Sequence, residues 1–107
     1  MKTINRGYLL VEPKQAFCDW ARMHDEEFDF DETDQPEGTL YLIEEDFWEL
    51  EPVLEKHFKE IMIAECEAIS SNEEDWPKPT MSLFLDWFSV KAGVTVADLE
   101  ESDLIAE

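Results

Sequence analysis

Two histidines, two cysteines and an unusual supply of carboxylates are the side chains through which this chain could do chemistry. His57 and Glu60 stand three residues apart, the spacing that puts two ligands on one helix face. Carboxylate-bridged di-metal sites use Glu-x-x-His repeated on two helices, whereas His57–Glu60 is a single pair in the reverse order. A zinc site of nitrogen and sulfur ligands would require His24, His57, Cys18 and Cys66 all to converge. The run HDEEFDFDETDQPEG holds eight acids between Asp25 and Glu37 and no base. A calcium-loop register begun at Asp29 places Asp31 and Thr33 well. It fails at the sixth position, where Asp34 replaces the turn-making Gly, and at the twelfth, where Leu40 replaces the bidentate Glu. The run from 25 to 37 therefore reads as a solvated acidic loop rather than a specific ion site.

Covalent and acid–base chemistry find as little support. The chain has three Gly and none of the phosphate-cradling, nucleophile-elbow or dinucleotide fingerprints. Cys18 and Cys66 lack the C-x-x-C spacing of a redox pair, and the surrounding carboxylates disfavour a thiolate. Both read as reduced thiols, with Cys66 on the apolar side of a helix beside Phe58, Met62 and Ile69. No catalytic, cofactor-binding or metal residue is assigned, and the reading leans away from an enzyme. A site assembled from distant positions, for catalysis or a small ligand, stays open as an alternative.

The elements that must carry these residues follow from hydrophobic spacing. RGYLLV reads as a buried strand, followed by a helix from Pro13 towards Phe28 whose Phe17, Trp20, Ala21, His24 and Phe28 form one face. TLYLI is apolar on both faces, which predicts a central strand. A long helix is predicted from about Glu51 to Ile69, with Pro52 in its first turn. SSNEEDWPKP is a loop around a Trp76 anchor. Thr80 then caps a helix, MSLFLDWFSV, with one narrow polar stripe at Ser82, Asp86 and Ser89. VTVADL completes three strands, and EESDLIAE, residues 100–107, is an acidic tail expected to fray. The order strand, helix, strand, helix, helix, strand predicts one small α+β domain over residues 1–107, with helices packed on a three-stranded sheet.

RGYLLVEPK near the start, YLIEEDFW in the middle, and FLDWFSV and VADL near the end resemble a family of small, acidic, uncharacterised bacterial proteins. The likeness spans residues 1 to about 99. It implies a single bacterial domain and brings no catalytic motif or assigned activity with it.

Composition narrows the function classes. Apolar residues make up 44% of the chain and aromatics 12%, enough for a folded core with large rings. A net charge of −20 opposes any approach to phosphate, so neither nucleic acid nor an anionic membrane is an expected ligand. No long uncharged apolar run occurs, and only YLLV precedes Glu12 and Pro13, so a cytoplasmic chain without leader or span is expected. Eight of the twenty-eight acids lie in the acidic run; the rest are spread along the chain, which favours general acidity over a phosphate-mimicking patch. An acidic nucleic-acid mimic that occupies a basic protein is the alternative. The leading expectation is a protein-interaction or self-associating domain. Leu83, Trp87 and Val90 of the aromatic helix are its candidate surface, with full burial of that helix between the long helix and the sheet as the alternative, and a two-fold homodimer is one of its forms.

Overall fold

A computed structural model describes residues 1–24 and 37–105. The acidic run is outside the described residues except for Glu37, as is the continuation of the first helix towards Phe28. Among the described residues nine elements follow one another: β1 (Lys2–Ile4), β2 (Gly7–Pro13), α1 (Gln15–His24), β3 (Thr39–Ile43), α2 (Leu50–Ile69), a 3-10 turn (Glu73–Asp75), α3 (Met81–Trp87), β4 (Phe88–Gly93) and β5 (Val96–Asp98). The fold is α+β. A three-stranded antiparallel sheet in the order β3-β2-β4 stands beside a two-stranded β1-β5 ribbon.

β2 is the central strand because its alternation suits one buried face: Leu9 and Val11 are fully buried, while Tyr8, Leu10 and Glu12 turn the other way. The register aligns Leu9 with Tyr41 and Ala92, and Val11 with Val90, so one face of the sheet presents an apolar surface. Against it pack Phe17 and Ala21 of α1, Val53, Leu54, Phe58, Ile61, Met62 and Cys66 of α2, and Phe84 of α3. In α2 these buried positions are adjacent or recur three or four residues on, which keeps them on one side of twenty residues of helix. Pro52 lies in the first turn of α2, where a missing N–H removes no helical bond.

The loop after α2 is held by side chains that satisfy its backbone. Trp76 Nε1 donates to the Ser70 carbonyl at 2.8 Å, Ser70 Oγ donates to Asp75 at 2.8 Å, and Trp20 Nε1 reaches the Asp75 carbonyl at 3.3 Å. Trp76 is thus the anchor expected of it.

Four expectations need correction. Pro13 ends β2 instead of opening α1, which begins at Gln15. TLYLI is an edge strand, not the central one: its Leu40 and Leu42 are 53% and 47% exposed. The helix read over Met81–Val90 stops at Trp87, and Phe88–Gly93 becomes the third strand of the sheet. VTVADL does supply a strand, but it pairs with β1, an element not anticipated, outside the three-stranded sheet. The two strand pairs are continuous in chain: between Tyr8↔Gly93 and Ile4↔Val96 one side passes through Asn5, Arg6 and Gly7 and the other through Val94 and Thr95. That mismatch is what a bulge inserts, and it ends one ladder before the next begins.

Candidate interaction surface

The sheet has helices on one face. On the other, cross-strand pairing brings Leu10 beside Leu40 and Tyr8 beside Leu42, four apolar side chains made contiguous by register. Tyr8 and Leu10 are half-buried, Leu40 and Leu42 open. On the β4 side the same face carries Gly93, Lys91 and Ser89. The Tyr8 ring lies over Gly93 so closely that a methyl there would meet ring atoms at 2.5–2.6 Å, so glycine is what lets the tyrosine lie flat on the sheet. Lys91 is the base of this face, and its Nζ is engaged by Glu12 at 3.3 Å.

A cluster of polar side chains lies around the far end of β3. His57 Nε2 is 3.0 Å from Glu44 Oε2, and Lys56 Nζ is 3.7 Å from Glu44 Oε1. The hydrogen bond to His57 holds the Glu44 carboxyl below its ordinary value, with Lys56 adding to the effect. The Tyr41 hydroxyl donates to Glu65 Oε1 at 2.9 Å, and burial together with that carboxylate pushes the phenol upward, so it stays a neutral donor. Between β3 and α2 a cleft of about 240 Å³ is lined by Tyr41, Leu42, Ile43, His57, Glu60, Ile61 and Ala64. His57 takes Glu44 as its partner, and among the described residues no group of three or more His, Cys, Asp and Glu side chains converges as a metal site. Cys18 and Cys66 are both buried and free, and burial with the neighbouring Glu65 pushes the Cys66 thiol up to about 11.

The three residues singled out from sequence do not share a helical face. Leu83 and Trp87 lie on α3 and Val90 on β4, and all three are partly buried and packed against the core. Trp87 sits 5.8 Å from Phe17, edge to face, and 5.5 Å from Trp20. Leu40 and Leu42, which the sequence places in a central strand, stand about half exposed. Their signal was a short uncharged strand flanked by acids at both ends, which reads equally as a central strand when its neighbours are unknown. Among the described residues no helix is long and apolar enough to cross a membrane. No protein-family model, no curated protein and no solved structure matches the chain.

Proposed function

We propose that this chain is a protein-interaction domain that receives its partner on the outer face of the three-stranded sheet. The observation that carries the proposal is the apolar group Tyr8, Leu10, Leu40 and Leu42, aligned by register on a face where β3 keeps its leucines about half exposed. Apolar side chains held on a rigid sheet favour a partner that removes them from water, at roughly 25 cal/mol for each Å² buried. With a net charge of −20, phosphate-rich partners are disfavoured and protein surfaces of neutral or positive charge preferred.

The test compares the wild type with a Leu40→Asp, Leu42→Asp double variant as bait in native lysate. Because both leucines are exposed, the variant should keep its circular dichroism and thermal midpoint. A protein retained by the wild type and absent from the variant supports the proposal. Equal retention by both, as an acidic phosphate mimic would give, or no retention by the wild type, overturns it.

A further inference from the structure

The sheet has two edges, and they are guarded differently. β4 carries Lys91 in mid-strand with a largely exposed side chain, a charge of the kind that deters another strand from pairing. β3, Thr39–Ile43, has neither a charged residue nor proline, and among the described strands only β2 pairs with it. Its outer backbone groups are therefore a template for one more strand.

Side chains of such a strand would have places to go. Strands lie about 4.8 Å apart and alternate their side chains between faces. A fourth strand beside β3 directs one set into the cleft between β3 and α2 and the other set alongside Leu40 and Leu42. The surroundings decide its charge. Glu37 precedes β3, and Glu44, Glu45 and Asp46 follow it, while Glu60 lines the cleft and Glu65 accepts from Tyr41. The nearby Lys56 and His57 are both taken up by Glu44. A second copy of this chain pairing antiparallel through β3 would bring Glu37 of one copy towards Glu44 and Glu45 of the other, between two molecules each of charge −20.

We infer that the partner supplies an extended, cationic segment, apolar residues alternating with Lys or Arg, which adds to the β3 edge as a fourth strand. This rests on the sheet-face reading above and specifies how that face is used. Main-chain bonds to β3 would supply affinity, Leu40 and Leu42 a preference for apolar side chains on one face, and Glu60 in the cleft together with the acidic ends of β3 the preference for positive charge on the other.

The probe is a peptide of alternating lysine and valine about ten residues long, matched to strand length. Three controls accompany it: the same composition with its lysines and valines in two blocks, and two copies N-methylated either at every lysine or at every valine. Each methylated copy loses one hydrogen-bonding edge and keeps its charge. Expected is binding by the alternating peptide, with amide exchange slowed about tenfold or more at alternate residues of Thr39–Ile43. One methylated copy should bind and the other fail, and Leu42→Lys should weaken binding about tenfold at an unchanged thermal midpoint. Amide shifts at Tyr8, Leu10 and Leu42 without slowed exchange in β3 would leave the docking face standing and overturn strand addition. Equal binding by the block peptide or by both methylated copies would reduce the effect to charge attraction and overturn it too. So would the absence of any change in β3, or sedimentation of the peptide-free protein as a dimer with β3 protected. The sheet-face reading fails separately, by the leucine double variant retaining the same partner as the wild type.

Discussion

Trp87 shows how strongly a residue's role depends on its neighbours in space. In the sequence it sits among Leu83, Leu85 and Phe88 and reads equally as a side chain open to a partner or as one buried against the sheet; in the fold its ring meets Phe17 and Trp20, and Phe17 continues the contact to Phe88 at 4.9 Å. Aromatic pairs at such separations add to the gain from burial alone. Trp87→Ala is therefore expected to lower the free energy of unfolding by about 3 kcal/mol, a large-to-small loss in a partly buried site. Urea unfolding followed by circular dichroism measures it. A variant of unchanged stability would show that the Trp87 ring contributes little to the core. Leu42 is the opposite case, a residue that reads as core and stands 47% exposed. His57 illustrates the same dependence: the sequence offers Glu60 as its neighbour, and the fold brings Glu44, thirteen residues earlier, to 3.0 Å.

At the scale of elements, the passage from α3 to β4 organises this half of the molecule. Phe88 closes the helix at φ −135° and ψ 145° and is already the first strand residue, with no loop between. The last turn of so short a helix leaves carbonyls without helical partners. Lys14 meets two of them, its backbone N–H donating to Trp87 at 2.7 Å and its ammonium to Leu85 at 2.8 Å. At the other end the Thr80 hydroxyl accepts from the Leu83 N–H at 3.1 Å. Thr80→Ala is expected to cost about 1 kcal/mol, the usual worth of an N-cap. Thermal unfolding would detect it, and Thr80→Ser, which keeps the hydroxyl, should recover most of the loss. Full stability in Thr80→Ala would show that the helix is held by Phe84 and its core contacts alone. Fully buried Phe84 lies 5.4 Å from Phe88, so the same core contacts that hold the helix also hold the start of the strand.

For the whole molecule, charge sets the conditions under which the fold and any complex exist. A chain of net charge −20 repels itself, and added salt screens that repulsion over about 10 Å at 0.1 M. The thermal midpoint is expected to rise by several degrees as sodium chloride goes from low concentration to about 0.5 M, with scanning calorimetry as the check. A midpoint that falls would mean that the ion pairs Lys56–Glu44, Lys91–Glu12 and Lys2–Asp103 outweigh the repulsion, against their partly exposed settings. The same screening should weaken a cationic partner, while the apolar contacts with Leu40 and Leu42 keep part of the affinity.

The sequence by itself determined the α+β class, strand β2, helix α2 from its apolar spacing and Pro52, the Thr80 cap and the Trp76 anchor. Each of these depends on residues close together in the chain, whose spacing and turn chemistry act before any long-range contact forms. Only the tertiary structure decided the rest. FSV continues a helical pattern as readily as it begins a strand, and what settles it is the ladder that Val11 and Pro13 offer to Val90 and Phe88, more than seventy residues away. TLYLI carries apolar side chains on both faces wherever it sits. Whether Leu40 and Leu42 are core or surface depends on which strand lies beside them and on the helices packing against one face of the sheet, and neither is encoded within the five residues themselves.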